Sequence, residues 1–302
     1  MSAAPIPSDA RLAELLQQTS RTFALAIPLL AEPSRRAVEL AYLAFRVADT
    51  LEDAAAWTQR ARLEALDELA LLLRPGQSEA SRAAASRWAA ALPSEHAGYL
   101  ALLRELPGLL SAIDALAPPI RALVYDHAAR TTRGMAQIQR DSGDGGRIAL
   151  RTLAALQHYC YVVAGIVGEL LTELFLLEAP QLSDAAAALR ANQLQFGEAL
   201  QLVNVLKDQQ VDLEEGRSLI PAAVPRAQVL ALARGDLLQA RRYVETLREA
   251  LAPAGMVAFT QLPLELAELA LRELELRGPG AKVPRPAVEA AFARALALLQ
   301  PA

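Results

Sequence analysis

The sequence predicts an all-α protein, and three observations carry that prediction. Ala and Leu dominate a chain of 302 residues that is 53% hydrophobic, while β-branched and aromatic residues are few; this balance favours helix over strand. Apolar residues recur at helical spacing between punctuating Pro, Gly and Ser/Thr/Asp positions. No segment alternates with period two, and neither an internal repeat nor a long linker divides the chain. Residues 1–302 are long enough for a sizeable core and are expected to form a single helical domain.

The elements follow in order. Ser8-Asp9 starts a first helix, and Pro28 bends or ends the segment over 23–30. Pro33 suits a first helical turn and opens a helix to about Ala55. Thr58 caps the next, which stops at Pro75-Gly76. Shorter helices are expected between Pro93, Pro107 and Pro118-Pro119. A long helix over 119–140 ends in Asp141-Ser142-Gly143-Asp144-Gly145-Gly146, the clearest loop signal. Two more long helices cover 151–177 and 183–213, the second ended by Gly216 and Pro221. Helices over 235–252, 254–276 and 286–299 complete the chain.

Composition excludes several classes. A net charge of −4 and a pI near 5.6 leave no basic footprint for nucleic acid. The single cysteine, Cys160, rules out an internal disulfide and fits a reducing compartment. Residues 1–15 carry Asp9 and Glu14 and no apolar run, so no signal peptide is expected and the location is cytoplasmic. The segment 152–168 has no formal charge and approaches the length of a membrane span. Gln157, His158, Tyr159 and Tyr161 interrupt it and Glu169 closes it, which favours a buried core helix. An apolar patch would still allow peripheral contact with the inner membrane face.

Two helical segments break their apolar pattern in the same way. Tyr42, Arg46, Asp49 and Asp53 fall at offsets 0, 4, 7 and 11; Gln201, Asn204, Asp208 and Asp212 fall at 0, 3, 7 and 11. At about 3.6 residues per turn each set is one polar stripe on one helix face. The flanks are apolar: Leu40, Leu43, Phe45 and Val47 in one, Leu202, Val203, Val205 and Leu206 in the other. Carboxylates one turn apart repel unless compensated, and burying them needs cations. Either pair alone reads as a solvated face. Two matching stripes make a magnesium–diphosphate site an equal alternative.

Basic residues add to that. Only two lysines, Lys207 and Lys282, stand against 28 arginines. Lys207 directly precedes Asp208, Arg217 follows Asp212 by five residues, and Arg21 and Arg46 accompany the first stripe. Such cations stabilise a departing diphosphate. A coding bias toward Arg explains the arginine count but not where the lysines fall. Phe23, Tyr42, Tyr159, Tyr161, Phe196 and Phe259 offer ring faces to a cation in a dry cavity, though core packing is the plainer role for Phe196 and Phe259. His96, His127 and His158 fit no metal spacing.

At these residues the chain resembles the squalene/phytoene synthase family. Ser20-Arg21-Thr22-Phe23 and Tyr42 through Arg46, Asp49 and Asp53 resemble its opening motifs. Tyr159 to Gly165, then Gly197 through Gln201, Asn204, Lys207, Asp208 and Asp212 to Arg217 and Pro221, resemble its later ones. The likeness spans residues 17–285. It implies a class I isoprenoid synthase fold, the aspartate motifs facing across a central cavity, and head-to-head coupling of two prenyl diphosphates. It also implies Asp49, Asp53, Asp208 and Asp212 as Mg²⁺ ligands, with Asp49, Asp208 and Tyr159 catalytic. Ser20, Arg21, Phe23, Tyr42, Arg46, Gln201, Asn204, Lys207 and Arg217 become substrate contacts, Tyr159 handling the proton of the first coupling.

Asp49-Thr-Leu-Glu-Asp53 and Phe259-Thr-Gln-Leu-Pro263 are similar to squalene synthases, which join two farnesyl diphosphates and reduce the product with NADPH. Gly280 to Arg285 resembles the basic stretch associated there with NADPH, and reads equally as a surface turn. Gly168-Glu169 with Leu171-Thr172 resembles bacterial dehydrosqualene synthases, which need no reductant; a phytoene synthase or a terpene cyclase on the same fold are further alternatives. The chain ends at Ala302 without the C-terminal anchor of the eukaryotic enzymes, which suggests a bacterial-type protein.

Overall fold

The computed structural model describes residues 4–142 and 148–300. The glycine run expected as a loop at 143–146 therefore lies outside the described residues. Among the described residues the chain is helical without a strand, its one pairing being an isolated bridge between Ala149 and Ser218. In order the helices are α1 (Asp9–Thr19), α2 (Thr22–Ala26), α3 (Ser34–Glu52), α4 (Gln59–Leu72), α5 (Ser78–Ala90), α6 (Ala97–Asp114) and α7 (Pro118–Asp141). There follow α8 (Leu153–Cys160), α9 (Ile166–Glu178), α10 (Ala186–Glu214), α11 (Arg226–Glu249), α12 (Ala254–Arg277) and α13 (Arg285–Ala297). Capping residues start three of them. Ser8, Thr58 and Thr152 hydroxyls accept the N–H of Arg11, Ala61 and Ala155 at 3.2, 3.2 and 3.1 Å.

The helices gather into two compact units. The first comprises Met1–Ala24 with Arg35–Gly146 and is built from α1 and α3 to α7. Leu12, Leu43, Leu51, Leu66, Leu69, Leu102 and Leu106 are fully buried in it, each contributing about 1.5–3 kcal/mol by leaving water. Pro107, expected to end a helix, instead lies inside α6. Buried neighbours on both sides of it, Leu102 to Leu110, hold the helix together by packing. Its carbonyl accepts the Ser78 hydroxyl at 2.8 Å.

The second unit comprises Leu25–Ser34 with Arg147–Ala302. The 29-residue α10 packs against α9, α11 and α12. Phe175 meets Phe259 edge-on at 6.4 Å, and Phe196 stacks on the fully buried Tyr243 at 5.1 Å. The expected helix over 151–177 runs continuously over Leu153–Glu178, with a π-turn at Tyr161–Gly165 between α8 and α9. Around the π-turn this segment and α10 meet backbone to backbone. A Cβ on Gly197 would lie 1.9 Å from the Ala164 carbonyl oxygen, and one on Gly168 would lie 1.9 Å from that of Gln193. Only glycines let these helices approach so closely. Expected to begin at Gly235, α11 instead starts at Arg226 after Pro225; Gly235 sits mid-helix, where it weakens the helix by about 1 kcal/mol without breaking it.

The spans Leu153–Glu178 and Ala254–Arg277 are long and apolar enough to cross a membrane by length and composition. More than half of each apolar window is buried inside the protein.

Candidate active site

In the first unit α3 is amphipathic: Leu40, Leu43, Phe45 and Val47 face the core, while Tyr42, Arg46 and Asp49 lie half-exposed on the opposite face. Arg46 organises the stripe. Its Nη1 lies 3.1 Å from Asp49 Oδ2, and its Nη2 donates to the Tyr42 hydroxyl at 2.9 Å. That hydroxyl donates in turn to the Thr19 carbonyl at 3.1 Å. The guanidinium lies 5.4 Å from the Tyr42 ring centroid and 5.9 Å from that of Tyr99. Burial works against its charge, but Asp49 and Tyr42 outweigh burial and raise the Arg46 pKa. Phe23 packs on Tyr42 at 5.5 Å, and Ser20 Oγ accepts the Phe23 N–H at 3.0 Å, so the Ser20-to-Phe23 motif is tied to the stripe. Arg21 is exposed, as is Asp53. Asp53 stands just past the end of α3, its N–H still bonded to the Asp49 carbonyl at 2.9 Å.

In the second unit α10 repeats the pattern. Gln201 and Asp208 are half-buried, Asn204 is exposed and Asp212 is buried. Lys207 Nζ lies 3.1 Å from Asn204 Oδ1 and 3.3 Å from Asp208 Oδ2. Arg217 donates to Asp212 Oδ1 from Nη2 at 2.7 Å and from Nε at 3.2 Å, and its backbone N–H bonds the Asp212 carbonyl at 2.6 Å. Each stripe thus carries its own cation beside a carboxylate, Arg46 with Asp49 and Arg217 with Asp212. Tyr159 is buried on α8, and Tyr161, opening the π-turn, donates to Glu169 at 3.3 Å.

Three residues escaped the sequence reading. Tyr99 lies far along the chain from Arg46 and carries no motif. Glu198 continues the α10 stripe one turn before Gln201, so extending the stripe would have found it. Its Oε1 lies against Gly165 of the π-turn, 3.1 Å from where a Cβ would stand. Burial, then Asp236 on α11, pushes its pKa up to about 7, and burial pushes Asp236 up to about 6. Cys160 is raised by burial and by these two acids, so its thiol stays protonated.

The histidines have other neighbours. His127 is buried with Nδ1 2.8 Å from the Leu123 carbonyl, and His96 and His158 pack on Tyr99 and Tyr161. Phe196 and Phe259 pack in the core as expected.

The donor set decides which metal chemistry fits. Among the described residues no three His, Cys, Asp or Glu side chains gather into a ready-made cage. Two hard oxygen donors one turn apart instead suit Mg²⁺, which keeps waters and completes its shell with phosphate oxygens. Lys282 in the turn before α13 and Arg285 at the start of α13 are exposed, Arg285 pairing with Glu289 at 2.9 Å. The Gly280 N–H joins this turn to α10 at the Lys207 carbonyl, 3.0 Å away.

Comparison with known proteins gives the family and the fold. The family model for squalene/phytoene synthase matches residues 16–229. The chain is 30% identical over 224 residues to the squalene synthase of Yarrowia lipolytica, covering 71% of this chain and 45% of that protein. It is 32% identical over 142 residues to the phytoene synthase of Thermus thermophilus, covering 45% of this chain and 46% of that one. The chain spans less than half the length of these relatives. The solved complex of TcSQS with BPH1237 shares its fold at TM-score 0.74 and 21% identity, covering 95% of this chain and 85% of that one. A solved dehydrosqualene synthase complex does so at TM-score 0.60 and 18% identity, covering 96% and 95%. An all-α architecture of the isoprenoid synthase class, carrying two aspartate stripes with paired cations, defines the kind of protein this is. The chain belongs to the squalene/phytoene synthase family.

Proposed function

We propose that the chain is a prenyltransferase that joins two farnesyl diphosphates head-to-head through a cyclopropylcarbinyl diphosphate and yields squalene with NADPH as reductant. The observation that carries this reading is the repeated stripe, two carboxylates one turn apart with a cation alongside, in a chain of this family. Asp49 and Asp53 in one unit, Asp208 and Asp212 in the other, would hold Mg²⁺. Bound there, the metal would draw charge from a departing diphosphate.

The chain's own groups do the rest. Arg21, Arg46, Lys207 and Arg217 bind the diphosphate oxygens and take up the charge as each C–O bond breaks. Gln201, Asn204 and Ser20 donate hydrogen bonds that orient the two substrates. The Phe23 and Tyr42 rings shelter the allylic cation from water. Ring closure in the first coupling releases a proton, which Tyr159 handles, a role its family motif supports. The exposed Lys282, on a turn joined to α10, and Arg285 at the start of α13 support NADPH at that end. The expected location is the cytoplasm, with peripheral contact on the inner membrane face where an oily product would partition.

The test is incubation with farnesyl diphosphate and Mg²⁺, with and without NADPH, followed by product identification. Squalene formed only with NADPH supports the proposal. Dehydrosqualene regardless of NADPH establishes the second reading, which the Gly168-Glu169 motif favours. Turnover confined to geranylgeranyl diphosphate rejects both. Full activity in Asp49→Asn or Asp208→Asn would remove the metal-site argument.

A further inference from the structure

We infer that Tyr99, outside every motif above, is a positioning residue: its ring and that of Tyr42 bracket the Arg46 guanidinium and hold it where it meets Asp49. This rests on the functional reading only in assigning the Arg46 stripe to diphosphate binding.

The placement begins with a glycine. Tyr99 stands in the first turn of α6, whose N-terminus lies against the end of α1. A Cβ on Gly98 would fall 2.8 Å from Gln18 Cβ and 3.2 Å from the Gln18 carbonyl oxygen, so the approach requires glycine there. Gln18 precedes Thr19, whose carbonyl accepts the Tyr42 hydroxyl. The glycine contact therefore brings Tyr99 to the helix end that anchors Tyr42. His96 packs on the Tyr99 ring at 4.4 Å and fixes its face.

Arg46 needs such a bracket. Its Nη1 and Nη2 are engaged by Asp49 and Tyr42, whereas its Nε is buried without a hydrogen-bond partner among the described residues. A guanidinium held at one edge alone is free to swing. Tyr42 holds it by both its hydroxyl and its ring, 5.4 Å away, while the Tyr99 ring at 5.9 Å restricts it without taking an N–H group that a diphosphate oxygen would use. Among the described residues the Tyr99 hydroxyl enters no hydrogen bond, so the ring is the part that matters.

The experiment compares Tyr99→Phe and Tyr99→Leu in the full chain. Three readouts are taken: calorimetric binding of inorganic diphosphate with Mg²⁺, steady-state kinetics with farnesyl diphosphate, and thermal unfolding. Tyr99→Leu is expected to weaken diphosphate binding and raise KM about three- to tenfold, the scale of a part-desolvated cation–π contact, with the unfolding midpoint kept. Tyr99→Phe is expected to restore both. Unchanged binding in Tyr99→Leu overturns the inference. So does equal loss in the Phe and Leu variants, or a loss that follows a lowered unfolding midpoint. A wild type that turns over no farnesyl diphosphate defeats the functional reading alone, because the diphosphate calorimetry still decides the role of Tyr99.

Discussion

Asp212 is buried, and a buried carboxylate is stable only while its charge is answered. Arg217 supplies that answer through two side-chain contacts to Oδ1 at 2.7 and 3.2 Å. Arg217→Met is therefore expected to destabilise the second unit by about 3 kcal/mol, read as a lower urea midpoint. An unchanged midpoint would show the pair to be dispensable for folding. Asp49 differs in being half-exposed beside Arg46. Arg46→Met should cost less stability than Arg217→Met, since Arg46 and Asp49 keep 27% and 29% of their side-chain surface against 8% for Asp212, while weakening diphosphate binding measured by calorimetry. At this scale much was legible: Asp49, Arg46, Asp208 and Arg217 could be named from spacing and motif. That each cation already engages a carboxylate was not, because side-chain pairing depends on rotamers that spacing leaves open.

At the scale of elements, the crossing of the α8–α9 segment with α10 governs where Tyr159 and the second stripe stand. Gly168 and Gly197 admit backbone within 1.9 Å of their missing Cβ positions. A carbonyl cannot step aside as a flexible side chain can, so Gly168→Ala is expected to cost about 3 kcal/mol and to lower kcat by shifting Tyr159. Thermal unfolding and circular dichroism check it; a midpoint equal to wild type would mean the helices separate without penalty. Sequence punctuation located most helices but misread Pro107 and Gly235 as boundaries. Both lie inside helices whose packing overrides local propensity, and the π-turn stands at a contact with α10, distant in sequence, that no local pattern encodes.

For the whole molecule, pH dependence follows from Glu198 and Asp236, half-buried acids on adjacent helices raised to about 7 and about 6. Both folded values exceed the ordinary carboxylate range, so the folded protein holds more protons than the unfolded chain. Stability should then fall as pH rises from about 4 through about 7 and level off above. Glu198→Gln is expected to gain about 1 kcal/mol at pH 8, given the solvent screening of a part-exposed group, and nothing at pH 4. Urea unfolding at the two pH values tests this, and equal gains at both would contradict it.

The sequence by itself determined the helical class, the two stripes and the family, because helical periodicity and motif spacing are properties of the chain alone. Tertiary structure decided which residues serve those stripes from elsewhere. Tyr99 reaches Arg46 because Gly98 lets α6 touch α1, and Glu198 meets Asp236 because α10 and α11 pack together. Each depends on closeness in space between residues distant in sequence, which no local pattern encodes.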